Sequence, residues 1–204
     1  MLPCEGLIHP VEAMRALRTD ATRWHWGRRV EQVRPGALHF GTGAATLRCD
    51  WAIDCRGLGA RPPLPLRGVR GEVAVLDLPG HGLRRPLRLL HPRHRGVYLV
   101  PRSESELIVG ASEIESEDRS PVSLQSAVEL MAAAHSLLPA LAEARITRLD
   151  RNLRPALPDN LPFTHLEPGL MRLNGLYRHG WLLAPALVQR LLAESGLGTL
   201  EQTP

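Results

Sequence analysis

The sequence predicts an α+β fold built on a mixed, largely antiparallel sheet, and three observations predict it. Short β-rich runs separated by Gly-containing turns occupy the middle of the 204-residue chain. Helix-period segments are few and stand near the two ends and around residues 121–138. Between them, Arg61 to Gly68 (RPPLPLRG) resists any regular element, because its prolines remove donors and fix φ. That stretch is the expected crossing between subdomains.

The elements follow in order. His9-Pro10 places a proline at a helix N1 position, and Val11, Met14, Leu17 and Arg18 continue at helical spacing. TRWHWGRRVEQV, GALHFG, AATLRC and DWAIDCRGLGA read as short strands. Past the prolines, VRGEVAVLDL, RPLRLLH, RGVYLVPR and SELIVGASE read as further strands. Pro121 opens a helix whose predicted inner face carries Leu124, Ala127, Val128, Met131, His135 and Leu138, stopped by Pro139. His135 on that face is expected to be a core histidine rather than a ligand. ARITRLDRNLRPALPDNLP is a strand entering a proline-rich loop, GLMRLNGL is another strand, and Ala184-Pro185 start the closing helix.

Composition narrows the chemistry. All 25 cationic side chains other than histidine are arginines, so Schiff-base chemistry, a pyridoxal phosphate anchor and a P-loop lysine are excluded together. A bound carboxylate would be held by a guanidinium fork. The net charge of +4 comes from arginines interspersed with acids, and two Phe, two Tyr and four Trp are the aromatics available for base stacking, so nucleic-acid binding is not expected. Cys4, Cys49 and Cys55 lack C-x-x-C spacing, which predicts reduced thiols and no metal site. The chain shows neither a signal peptide nor a membrane span, and a cytoplasmic location is expected.

Several motifs carry possible chemistry. GTGAAT, Gly41 to Thr46, lies between two strands and reads as a hairpin turn. In IDCRGLGA an apolar strand ends in Gly57-x-Gly59, where backbone can approach a ligand. Arg154, in NLRPALPDNLP, is either a carboxylate fork or a loop-capping surface arginine, and its residues alone leave both readings open. Tyr98, in GVYLVPR, is either a phenol donor or a half-buried sheet residue. In LNGLYRHGWLLAPAL, Gly175 and Gly180 bracket Arg178 and His179 ahead of a helix start. Such a start offers unpaired N–H groups and partial positive charge. A flat, electron-accepting ring or a plain tight turn fits that preamble equally.

In this order and spacing, IDCRGLGA, VRGEV, RPLRLLHP, VYLVPRSESELIVGASEIESEDRSP, NLRPALPDNLP and NGLYRHGWLLAPAL resemble the glycine oxidase (ThiO-type) branch of the D-amino-acid oxidase family of FAD-dependent amine oxidases. The resemblance implies three parts. Residues 1–60 would be a partial FAD-binding domain, 61–150 a substrate domain, and 151–204 a return to a Rossmann-like FAD-binding domain. The family's N-terminal βαβ unit with its G-x-G-x-x-G is missing from the pattern, so the chain reads as a fragment or a truncated relative.

By position, Arg154 is implied to pair with the substrate carboxylate and Tyr98 to donate to it. Arg178 falls near the active site and flavin, and Glu113 at a pocket position from which it either attracts the substrate ammonium or points away. Gly57 and Gly59 fall along the cofactor, and Arg178, His179, Gly180, Trp181 and Leu182 along the flavin edge. No acid–base residue is implied. The implied reaction is oxidative deamination of glycine or a small amino acid: hydride passes to FAD, dioxygen reoxidises it, and imine and hydrogen peroxide form. The implied partners are that substrate and dioxygen, with enzymes of thiazole synthesis and a homo-oligomer as further candidates. The alternative is a non-catalytic remnant that binds a carboxylate or a partner protein.

Overall fold

A computed structural model describes residues 6–41, 45–90 and 96–198. Helix α1 (Pro10–Ala16) is followed by β1 (Gln32–Arg34), β2 (Ala37–His39), β3 (Thr46–Arg48) and β4 (Ala52–Asp54). A 3-10 turn (Gly57–Ala60) leads to β5 (Arg67–Asp77), β6 (Leu87–Arg88), β7 (Tyr98–Pro101) and β8 (Glu106–Gly110). Then come α2 (Leu124–Leu137), β9 (Arg145–Ala156), β10 (Phe163–Glu167), β11 (Leu170–Asn174) and α3 (Gly180–Ser195). The α+β expectation holds.

The chain divides into two compact units. The first holds Met1–Trp24, Arg70–Ile114 and Asp118–Asn152; the second holds His25–Val69, Glu115–Glu117 and Leu153–Pro204. Strands β5 and β9 each run from one unit into the other.

The first unit is organised by a five-stranded sheet of order β6-β7-β8-β5-β9. β8 pairs antiparallel with both β7 and β5. One face of this sheet meets α2, and Ala74, Leu76, Leu99, Leu107 and Val109 pack there with Leu130, Ala133 and Ala134. Helix α2 begins at Leu124 rather than Pro121, because the Ser123 hydroxyl caps it by accepting from the Ser126 N–H. Its inner face also differs from expectation. Leu124 and Val128 are exposed, as is His135, which is therefore no core histidine. Ser126, Leu130, Ala133 and Ala134 are buried instead. Two alanines let the helix approach the sheet closely, and that close approach outweighs the larger residues' claim to the core.

The second unit contains the β1-β2-β3 meander and a smaller sheet of order β10-β11-β4. β11 runs parallel to β4, whereas β10 pairs antiparallel with β11. β10 has no counterpart among the strands expected from the sequence. The Gly169 carbonyl accepts from the N–H groups of Gly36 and Ala52 and so ties the meander to this sheet. The TRWHWGRRVEQV run contributes only β1, at Gln32–Arg34. β2 and β3 pair as a hairpin, though residues 42–44 of the GTGAAT turn lie outside the described residues.

Helix α3 packs Leu187, Val188, Leu191 and Leu192 against Met171 and Leu173. It begins at Gly180, not at Ala184-Pro185, and Pro185 lies inside it. The Leu182 and Leu183 N–H groups already bond the His179 carbonyl, so the first turn forms ahead of the proline. Packing of the later turns offsets the one bond that Pro185 cannot make.

Candidate functional site

Two loops and the end of β9 converge at the carboxyl ends of the parallel strands in the second unit. β4 and β11 both point toward this end, the usual ligand-binding edge of parallel sheets. After β4 the chain turns through Gly57, whose φ of 57° belongs to the left-handed region. The ring of Pro155, on β9, lies 3.6 Å from where a Gly57 Cβ would stand. The Pro155 carbonyl accepts from the Tyr177 N–H at 3.2 Å, in the loop leading to α3. Asn174, at the end of β11 and buried, joins the other sides. Its amide donates to the Gly57 carbonyl at 3.0 Å, and its side-chain oxygen accepts from the Gly175 N–H at 2.8 Å.

This junction joins the segment that carries Arg154, next to Pro155, to the segment that carries Arg178, next to Tyr177. Arg154 is half-buried and Arg178 exposed. His179, Trp181 and Leu182 are also exposed, at the start of α3. No side chain caps that helix start, where the Leu182 and Leu183 N–H groups bond the His179 carbonyl. A glycine turn, an exposed helix start and two arginine-bearing segments meeting at one sheet edge suit part of a flavin dinucleotide and a carboxylate.

Beside this junction two ionic clusters fix the frame. Arg56 grips Asp54 with two bonds, Nε to Oδ1 at 2.8 Å and Nη2 to Oδ2 at 2.9 Å. Its Nη1 also donates to the Val30 and Glu31 carbonyls, linking β4 to the meander. Burial pushes the Asp54 carboxyl up, but the bonds from Arg56 and the Arg56 and Arg172 charges outweigh it and hold it below its ordinary value. Desolvation, then the Asp54 charge, push the Cys55 thiol up. Arg67 donates to Glu115 and Asn160 and to the Leu157 carbonyl. A cavity of about 150 Å³ bordered by Val33, Arg34, Asp54, Arg56 and Arg172 admits water or a small ion. It is below the several hundred Å³ typical of organic-ligand sites.

The first unit carries Tyr98 and Glu113. Tyr98, on β7, pairs with Gly110 of β8, and Gly110 in turn pairs with Val73 of β5. A Cβ at Gly110 would stand 3.1 Å from the Tyr98 hydroxyl oxygen and 2.8 Å from Val73 Cγ1. Glycine here lets the phenol lie across the sheet. Beyond Gly110 the ladder changes register. From the Val73–Gly110 pair to the Arg70–Ile114 bridge there are three steps on β5 and four on the opposite chain. One residue is therefore extra, a β-bulge.

Past the bulge Ser112 stands opposite Glu72. The Ser112 N–H donates to the Glu72 carbonyl at 3.1 Å, and the Glu72 N–H donates to Ser112 Oγ at 2.9 Å. Glu72 and Arg70, both buried, form an ion pair at 2.6 Å. Arg70 also donates to the Asp118 and Pro121 carbonyls. Burial pushes Glu72 up, yet hydrogen bonds from Ser126 and Arg70, the Arg70 charge and Ser112 hold it below the usual carboxylate range.

Of the residues singled out in sequence, Gly57, Gly59, Arg154 and Arg178 through Leu182 lie in the second unit, Tyr98 and Glu113 in the first. Asn174, Pro155, Glu72 and Arg70 were not foreseen. The only sequence signal for Asn174 is its place before a glycine at a strand end. The Arg70-x-Glu72 spacing on a strand puts both charges on one face. Among the described residues no group of His, Cys, Asp and Glu could hold a metal, and no helix is long and apolar enough to cross a membrane.

The DAO family model, described as FAD dependent oxidoreductase, matches residues 1–195. The chain belongs to this family. A thiamine biosynthesis oxidoreductase, ThiO, of Rhizobium etli is 46% identical over 197 residues, covering 94% of this chain and 57% of the relative. A bifunctional protein ThiO/ThiG of Nostoc is 36% identical over 167 residues, covering 75% of this chain and 24% of the relative. The crystal structure of glycine oxidase from Geobacillus kaustophilus matches with a TM-score of 0.64 and 28% identity, over 81% of this chain and 48% of that one. The chain thus spans roughly half the length of the ThiO and glycine oxidase chains it matches. The family is FAD dependent, and the glycine turn after β4 and the helix start without a side-chain cap are compatible with part of that cofactor.

Proposed function

We propose that this chain supplies the substrate-holding and flavin-facing part of a glycine oxidase of ThiO type, which deaminates glycine or another small amino acid in the thiazole branch of thiamine biosynthesis. The observation that carries the reading is the junction of Gly57, Pro155, Asn174 and Tyr177, which sets the Arg154 segment beside the start of α3. When bound, FAD would supply the two-electron acceptor for oxidising the substrate amine to an imine, with dioxygen as the terminal oxidant and hydrogen peroxide as its product.

The remaining work belongs to the chain's own residues. The Arg154 guanidinium pairs with the substrate carboxylate through two parallel N–H donors; the family resemblance assigns the Tyr98 hydroxyl a donor role. Glu113 attracts the ammonium end. Gly57 and Gly59 admit the cofactor close to the backbone, while Arg178, His179, Gly180, Trp181 and Leu182 hold its ring edge, with the α3 dipole favouring negative charge there. The substrate reacts as the neutral amine, its ammonium proton passing to solvent first, so no side chain is assigned to move it, and holding Cα in a reactive orientation provides much of the rate. In domain terms, residues 61–150 form the substrate part, and 1–60 with 151–204 the FAD part. The fused ThiO/ThiG relative supports a working partnership with an enzyme of thiazole synthesis.

The test is direct. Purified protein mixed with FAD and passed through a desalting column should retain absorbance at about 450 nm. It should release peroxide with glycine in preference to bulky D-amino acids. A chain that keeps no flavin and releases no peroxide is the non-catalytic remnant instead.

A further inference from the structure

The β-bulge after Gly110 decides which face of the sheet Glu113 occupies. On β8, Leu107 and Val109 point into the core beneath α2, while Ile108 and Gly110 lie on the face of Tyr98. Were the alternation unbroken, residues 111 and 113 would join Leu107 and Val109 in the core. The extra residue shifts parity. Ser112 now stands opposite Glu72, on the α2 face with Ala74 and Leu76, and Glu113 turns to the face of Tyr98. Accordingly Glu113 is exposed and Ser112 partly buried.

What holds the shifted register is polar and buried. The Ser112 hydroxyl donates to Glu72 Oε2 at 3.2 Å and accepts from the Glu72 N–H at 2.9 Å. Arg70 Nε donates to Glu72 Oε1 at 2.8 Å, and Ser126 bonds the same carboxylate from α2. An alanine at 112 would leave the Glu72 N–H short of its partner. We propose that Ser112 and Glu72 are positioning residues that lock the bulge and thereby present Glu113 beside Tyr98 for the ammonium end of an amino-acid substrate. The inference rests on the proposed substrate role of Glu113 and adds what places that carboxylate.

The experiment compares glycine with glycolate, which keeps the carboxylate and replaces the ammonium by a hydroxyl. Binding of each is measured by titration calorimetry on the full chain with FAD present. Hydrogen exchange of the peptide covering residues 110–114 is followed in parallel. Ser112→Ala should weaken glycine about tenfold, the scale of one charge-assisted hydrogen bond, and leave glycolate within about twofold. It should also speed exchange in that peptide. Ser112→Thr, which keeps the hydroxyl, should restore both. In a Glu113→Gln background Ser112→Ala should weaken glycine no further, while still speeding exchange.

If Glu113→Gln weakens glycine but Ser112→Ala changes neither glycine binding nor exchange, the positioning role is refuted and the substrate reading stands. If Glu113→Gln keeps the full preference for glycine over glycolate, or the unaltered chain shows no such preference, the substrate reading falls and takes the proposal with it. Should Ser112→Ala fail to fold, Glu72→Gln, which keeps the shape and loses the charge, gives the same comparison.

Discussion

Replacing Gly110 by alanine tests whether the sheet requires an absent side chain beneath Tyr98. The new Cβ would stand 2.8 Å from Val73 Cγ1, 3.1 Å from the Tyr98 hydroxyl oxygen and 3.2 Å from Tyr98 Cε2. Carbon pairs rest at about 3.5–4.0 Å, so the Val73 contact alone must open by roughly 0.7 Å or more. Val73 is β-branched and sits on β5, between β8 and β9, where neither rotamer nor backbone yields easily. Off-rotamer strain at two side chains adds about 1–3 kcal/mol, against which a strand alanine recovers roughly 0.5–1 kcal/mol of backbone entropy. The net expectation is a loss of about 1–2 kcal/mol in urea unfolding, with an unchanged m-value. Adding Val73→Ala should relieve the clash, giving the pair a favourable coupling of about 1 kcal/mol. A Gly110→Ala protein as stable as the original, or a pair that is simply additive, would refute the steric argument and free Tyr98 from its tie to this glycine.

Four further outcomes follow from the same geometry. Arg154→Ala should raise the glycine KM at least about tenfold with a smaller change in kcat, because a carboxylate pair binds substrate throughout the reaction. Asn174→Ala removes two bonds from a buried position and should cost about 1–3 kcal/mol in urea unfolding, with weaker FAD retention on a desalting column. Glu72 lies below its ordinary pKa of 4.5, so its stabilisation is complete above that value and is lost as pH falls through the lower folded value. Unfolding midpoints measured downward from pH 6 should therefore drop less in Glu72→Gln than in the unaltered protein. Arg70→Met alone strands the buried Glu72 carboxylate and should cost about 3–5 kcal/mol, much of it recovered in Arg70→Met/Glu72→Leu.

The strands and helices were legible where a local signal existed. Pro10 marks α1, alternating apolar residues mark β7 and β8, and the run from Leu170 to Asn174 marks β11. The misjudged features depend on distant partners, except the start of α3, which is local. The inner face of α2 is chosen by small alanines and by Ser126 reaching Glu72, which helical period alone cannot reveal. Helix α3 starts before its proline because the His179 carbonyl is available to Leu182 and Leu183. β10 becomes a strand only because Leu170–Asn174 lies beside it. At the candidate site, glycines and arginines stood out as residue types. Asn174 and Pro155 did not, since their roles exist only once segments far apart in sequence have met.

The Gly57–Pro155–Asn174–Tyr177 meeting point is built from main-chain atoms, one pyrrolidine ring and one carboxamide. None of these reads the identity of a substrate side chain. A lineage could therefore exchange the groups projecting from the surrounding loops, and with them the preferred amine, while the crossroads that orients those loops stays intact.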